Sequence, residues 1–432
     1  MSDTTLKPNS RSFKGIYETT AYVQQHTLLN RGITTLGGST IPQCTMSNNK
    51  YEAAERAIMG GVYFVASYLT PILFIPFFNK RFLQNEGVIN SLKDAQKNII
   101  LMSKKYLTPH ADIKKGLEET AKKLDKKFGN SENSKAFKEI FERYKDDPEK
   151  LKKALLSVHE KVLTFDFIST AAMWSIIPWI ATETTEALTK RTDFSAGFDL
   201  KEQTPVSKEE LKKSKAKKAF WNVVCCVVPG ILFPKAVTAG LGKDFSKPEK
   251  AGFLQKAINP ILKKISEKPE NFNYTSGTNM SKTIFAAIWL LASFPAKIIS
   301  SRDENEMRDR ALRDAGLFTL FFGGDFLINN ITGRLADKFL GTKIMDTSIF
   351  NGKEPGFFEK FKMQMRNFND IPEMKGVSPE VIKKTKTAGA ALYWVSLLTN
   401  TALIGFALPK LLNGILRKNI QKQSAETSDV KK

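Results

Sequence analysis

Residues 58–78, IMGGVYFVASYLTPILFIPFF, contain no charged residue. As a helix this run of about 21 residues rises roughly 30 Å, the thickness of a bilayer core. Pro71 and Pro76 fall inside it, which membrane helices tolerate. Asn79-Lys80-Arg81 closes it with positive charge. The stretch predicts a membrane helix at 57–81, and the fold class follows from asking how many others resemble it.

One other run is long enough by itself: residues 387–409, TAGAALYWVSLLTNTALIGFALP. Four shorter apolar runs lie between, at 167–182, 219–234, 283–296 and 315–324. Each falls short of the roughly 20 residues of a spanning helix, so each is a re-entrant segment, a buried core helix or a span lengthened by snorkelling Lys and Arg. The expected fold is all-α: a helical membrane protein with two long and up to four short or broken apolar helices, plus basic amphipathic helices. A multi-pass membrane location follows. A soluble all-helical protein with buried apolar helices is the rival, supported by a mean hydropathy of −0.26.

The intervening sequence divides the chain. Residues 1–56 form a polar N-terminal arm, expected to be largely irregular. Residues 82–164 form a basic amphipathic helical insertion, in which Phe137, Ile140, Phe141 and Tyr144 recur at helical spacing among Lys and Glu. Thr108-Pro109 and Asp147-Pro148 each offer a cap followed by Pro at the first helical position. Short apolar helices with basic connectors occupy 165–345, a basic connector 346–386, and the last membrane helix with a basic C-terminal tail 387–432. Ser378-Pro379 starts the helix leading into that last run.

Composition restricts the partner. Lys and Arg total 66 against 44 Asp and Glu, a formal net charge of +22, and that excess must meet something negative. The 31 Phe cluster inside apolar runs instead of alternating with basic residues, which argues for an anionic phospholipid surface and against nucleic acid. Lys80, Arg81, Lys235, Lys297 and Lys410 follow apolar runs closely and are the expected membrane-interface basic residues. A membrane-protein partner or a second copy of the chain stays open.

A loose recurrence joins the runs. Pro followed by a basic residue ends four of them, at 76–80, 234–235, 295–297 and 409–410, and the linkers at 192–198, 243–253 and 346–357 each close on Gly-Phe. The register drifts and no period is fixed. A common need to turn the chain at a headgroup layer explains it as well as divergent repeats do.

Catalytic signatures for phosphate, dinucleotide, acyl-transfer or zinc chemistry are absent from the sequence, so no enzyme activity, cofactor or metal is expected. His26, His110 and His159 are scattered in polar surroundings and are expected at the surface. Cys225 and Cys226 are adjacent in an apolar run and behave as small hydrophobes.

One stretch stands apart, SSRDENEMRDRALRD at 300–314, nearly neutral in a basic chain. Arg302 and Glu306, Glu306 and Arg310, Asp309 and Arg313, and Arg310 and Asp314 are each four apart and neighbours on a helix. Either this is a solvated, salt-laced helix, or it is a polar network, with Asp303, docked on the membrane-facing core and with Asp325 as its inward partner. Asp325 interrupts an apolar run after Gly323-Gly324, where an embedded carboxylate costs on the order of 3 kcal/mol and faces a partner or cavity. Asn329, Asn330 and Arg334 stand within reach along the helix. The alternative is that a helix restarts at Asp325, which caps it. The expected function is non-catalytic membrane organisation or lipid-surface interaction. A transporter or channel built from discontinuous helices around Asp325 is the alternative.

Overall fold

The computed structural model describes residues 15–91, 139–140, 142–190, 208–243, 245, 253–267, 272, 282–347, 350, 356, 359–366, 368, 370–374, 376–415 and 418. The fold is all-α. The helices are α1 (Ile16–Gln25), α2 (Thr27–Arg31), α3 (Ile41–Thr45), α4 (Lys50–Phe64), α5 (Thr70–Asn85), α6 (Pro148–Thr189), α7 (Lys208–Gly242), α8 (Phe253–Glu267), α9 (Lys282–Ile288), α10 (Phe294–Ile299), α11 (Glu304–Thr319), α12 (Asp325–Leu340) and α13 (Pro379–Asn400). Wider π-helical segments join several of them without a break: Gly32–Thr40, Val65–Leu69, Trp289–Ser293, Leu320–Gly324 and Thr401–Ala407. Among the described residues the strands are β1 (Met345–Asp346) and β2 (Gln364–Met365), an antiparallel pair with Met345 opposite Met365.

Local chemistry sets the helix starts. Asp147 Oδ1 accepts the backbone N–H of Lys150, and Ser378 Oγ accepts that of Val381 with Pro379 at the first helical position. Asp303 caps α11 by accepting the N–H of Glu306. Gly341 ends α12 in the left-handed conformation, φ 64°, which glycine adopts without a Cβ penalty.

Four helices among the described residues are long and apolar enough to cross a membrane: Lys50–Asn85, Glu149–Leu188, Lys212–Gly242 and Pro379–Ile415. Two of them correct the expectation of short runs at 167–182 and 219–234. The polar residues before each run are helical too, so the basic amphipathic stretch 148–164 and the apolar run after it form one helix. Thr283–Ile299 remains shorter. The run at 315–324 is not broken: Gly324 is right-handed helical, φ −64° and ψ −49°, and the chain continues as helix from Glu304 to Leu340. Thr108-Pro109, Phe137, Phe141 and most of the insertion at 82–164 lie outside the described residues.

The chain forms two compact units, one of Met1–Phe64, Trp179–Pro205 and Ser301–Lys432, the other of Val65–Pro178 and Val206–Ser300. In the second, Phe167, Trp174, Leu163 and Val237 are fully buried. Trp174 packs edge-on against Phe285 and Trp289 and donates its Nε1–H to Ser67 Oγ at 2.8 Å. Helix α8 lies on α7, with Gly240 directly against Ile265 and Leu262.

In the first unit the expected irregular arm is helical from Ile16 to Thr45 apart from a break at His26. Side chains of the last helix hold it: Trp394 Nε1–H donates to Thr20 Oγ1 at 2.9 Å and Tyr393 O–H to Asn30 Oδ1 at 2.7 Å. Gly38 and Gly405 let the two backbones approach, Gly38 beside Thr401 and Leu397, Gly405 beside Pro42. These contacts are distant in sequence, which is why the arm looked unstructured locally.

Candidate functional site

The first unit buries charge. Glu306 is 1 % exposed and Asp309 3 %, with Glu52, Arg56, Arg313 and Asp314 also buried and the Arg302 side chain nearly so. These groups lie in the first turns of α4 and from just before α11 to its third turn, with Thr185 from the last turns of α6.

Each carboxylate is held at several points. Glu306 accepts from Arg302 Nε at 3.1 Å, Arg302 Nη2 at 3.1 Å, the Arg302 backbone N–H at 2.5 Å and Arg310 Nη2 at 2.7 Å. Arg313 forks onto Asp309 through Nε at 3.3 Å and Nη2 at 2.8 Å. Glu52 accepts from the Asn48 backbone N–H at 2.7 Å, Asn48 Nδ2 at 2.9 Å and Arg56 Nη2 at 3.3 Å. Two ion pairs tie α4 to α11: Arg56 with Asp309 at 3.9 Å and Arg302 with Glu55 at 3.7 Å. Thr185 O–H donates to Glu55 Oε2 at 2.6 Å.

Forked guanidinium–carboxylate bonds are the strong form of this interaction. Burial pushes the Glu306 carboxyl up, but the charges of Arg310 and Arg302 more than offset this and leave it below its ordinary value. Burial pulls Arg302 down, and Glu306 and Glu55 raise it above the usual arginine range.

The structure divides the residues singled out in the sequence. Arg302, Asp303, Glu306, Asp309, Arg310 and Arg313 come together at the head of α11, with Asp314 buried in the next turn. The solvated helix is therefore overturned for this face, while Glu304 and Arg308 pair in the open on the other. Asp325 is not the inward partner of this cluster. The helix between them is unbroken, so at 1.5 Å per residue Asp325 stands about 24 Å along it from Asp309. Nor does a helix restart there. Its side chain lies outside the described residues. Asn330 is buried and donates to the carbonyls of Lys360 at 3.0 Å and Met363 at 2.9 Å, fastening α12 to the segment before β2. Asn329 and Arg334 are half-buried on α12.

Of the expected interface residues, Arg81, Lys235 and Lys410 are exposed and Lys80 and Lys297 half-buried. Lys297 Nζ stands over the Trp289 ring at 5.6 Å. His159 is buried, correcting its surface placement, because it shares a face of α6 with Leu155, Val158 and Val162. His26 is exposed, and His110 lies outside the described residues.

Sequence reasoning missed Asn48, Glu52, Glu55, Arg56 and Thr185. The available signal was an Asn-x-x-Glu cap at 49–52 and a Glu–Arg pair at 52 and 56, immediately ahead of a 21-residue uncharged run. No protein-family model, curated protein or solved structure matches the chain.

Proposed function

We propose that this is an integral, multi-pass membrane protein with a non-catalytic, membrane-organising role, its basic surface set against anionic lipid headgroups. The observation that carries the reading is an inside-out distribution of side chains. Glu306 is 1 % exposed, while Phe339 is 72 %, Leu398 67 % and Phe220 63 % exposed. Only 25 % of the apolar window of Lys50–Asn85 and 11 % of that of Pro379–Ile415 is covered by protein. Water penalises both halves of that pattern; hydrocarbon favours the apolar exterior and drives charges into paired interior positions.

The charged groups support a structural role. Guanidinium and carboxylate pair closely with each other, which suits a fastening at the heads of the apolar helices more than a reaction. Lys and Arg at the run ends, with Lys297 stacked on Trp289, suit the interfacial layer of an anionic leaflet.

A second reading, a transporter or channel, draws on the π-helical turns inside the apolar helices, since such turns often occur at functional sites. It is not centred on a break at Asp325, where the helix is continuous.

Membranes from expressing cells test the first reading: the protein should pellet with them and resist alkaline carbonate. Release by carbonate or high salt overturns it. Purified protein in liposomes should raise binding of added vesicles when phosphatidylserine is included, and leave efflux of trapped ions unchanged. Efflux above that of protein-free liposomes favours the second reading.

A further inference from the structure

We infer that the chain carries two copies of one structural repeat, and that the buried ion cluster is the joint where the heads of their leading long helices meet. One interval separates Asn48 from Arg302, Asn49 from Asp303, Glu52 from Glu306, Glu55 from Asp309, Arg56 from Arg310 and Gly87 from Gly341.

The paired positions play the same part, atom for atom. Asn49 Oδ1 accepts the N–H of Glu52 at 2.9 Å, and Asp303 Oδ1 that of Glu306 at 2.9 Å. In each copy the glutamate Oε2 then reaches back to the N–H of the residue before the cap, Asn48 or Arg302, and also takes a side-chain N–H from that same residue. In each copy its Oε1 takes the guanidinium four residues on, Arg56 or Arg310. This is a capping box closed by an arginine.

The likeness continues along the backbone. After α4 comes a π turn of 5 residues and then α5 of 16; after α11 comes a π turn of 5 and then α12 of 16. A left-handed glycine follows each, Gly87 at φ 70° two residues past α5 and Gly341 at φ 64° directly after α12. Ahead of each head stands a π segment followed by a short helix with Pro at its second residue: Gly32–Thr40 then Ile41-Pro42, and Trp289–Ser293 then Phe294-Pro295. Packing is reciprocal as well. The opening π segment of the first copy packs on the last helix of the chain, and that of the second copy packs on α7; α7 and the last helix share a Pro-Lys pair, at 234–235 and 409–410. Among the described residues α6 has no counterpart.

At the joint the two heads meet: Arg56 pairs with Asp309, the counterpart of Glu55, and Glu55 pairs with Arg302, the counterpart of Asn48. A patch that meets its own copy is the mark of a two-fold relation. Resting on the membrane reading above, the repeat makes two assignments that hydropathy does not. The helix from Glu304 to Leu340 crosses the bilayer through its part beyond Ala315, although it is not one of the four helices apolar enough by composition. It also runs in the same direction as Lys50–Asn85, the arrangement of parallel repeats about an axis along the membrane normal.

Cysteine labelling of the full chain in sealed vesicles tests this. With Cys44 and Cys225 replaced by Ala and the buried Cys226 retained, single cysteines are placed at exposed positions by Lys50→Cys, Glu304→Cys, Asn85→Cys and Lys343→Cys. An impermeant maleimide should label the Lys50 and Glu304 variants from one side and the Asn85 and Lys343 variants from the other. Labelling of whichever pair faces the lumen should rise about tenfold on permeabilisation. Lys50 and Glu304 on opposite sides, or Glu304 and Lys343 on the same side, overturns the repeat assignment and leaves the membrane reading intact. Equal labelling of all four before and after permeabilisation overturns both.

Discussion

Arg302 and Glu306 are fastened to each other three times: the guanidinium forks onto both carboxylate oxygens, and the Arg302 backbone N–H donates to one of them. Arg310 occupies the remaining side. Removing the carboxylate would leave two arginines without their shared counter-ion in a buried site.

Glu306→Gln should therefore lower stability by about 3–5 kcal/mol, the cost of breaking a buried ion pair from one side. Glu304→Gln, which removes the exposed partner of Arg308 in the same helix turn, should change it by about 0.5 kcal/mol or less. Thermal unfolding of the detergent-solubilised variants measures both. Equal effects would mean the cluster is solvated.

Acid should act through the same carboxyl. Glu306 titrates below its unfolded value, so the stability it lends is complete above about pH 4.3 and is lost as pH falls through the lower folded value. Arg302, held above its ordinary value, loses its contribution only in extreme alkali. A stability profile between pH 2 and 8 should show an acid limb that is flatter in Glu306→Gln than in the wild type.

Much of the fold was legible in sequence and part was hidden for identifiable reasons. The first and last apolar runs and the caps at Asp147 and Ser378 depend on local chemistry, and short-range pattern finds them. The lengths of α6 and α7 do not, because charged amphipathic residues such as those at 148–164 continue the same helix that the apolar run occupies. The pairs Arg302–Glu306 and Asp309–Arg313 were visible as spacing, but spacing is identical on a solvated helix and a buried one. Their burial depends on Glu55 and Arg56, distant in the chain. The recurrence of Pro with a basic residue does not fall at the interval between the two copies; the repeat is written in caps, π turns and left-handed glycines more than in side-chain identity.

Adjacent glycines on α4 give a contrast that needs no charge. A Cβ on Gly60 would overlap the Thr40 side chain, whereas one on Gly61 meets nothing within 4 Å. Gly60→Ala should cost about 1–3 kcal/mol through overpacking, and Gly61→Ala should be neutral or stabilise by up to about 1 kcal/mol. Unfolding temperatures in one detergent decide it.

Trp174 should dominate the core of the second unit. It fills a buried site between Phe285 and Trp289 and donates to Ser67. Trp174→Ala should cost about 3–5 kcal/mol. Trp174→Phe keeps most of the ring and should cost nearer 1 kcal/mol for the lost hydrogen bond. Chemical denaturation followed by far-UV circular dichroism separates them.

The local closure of the first capping box bears on the order in which the chain is made. When Arg56 leaves the ribosome, its cross-partner Asp309 is still roughly 250 residues from synthesis, on the order of 10–50 s at about 5–20 residues per second. Asn48, Asn49, Glu52 and Arg56 lie within one short segment and pair among themselves. The nascent helix thus carries a self-neutralised head through the wait, and the second head arrives equally self-contained. Docking of the two heads is then a late event between finished parts.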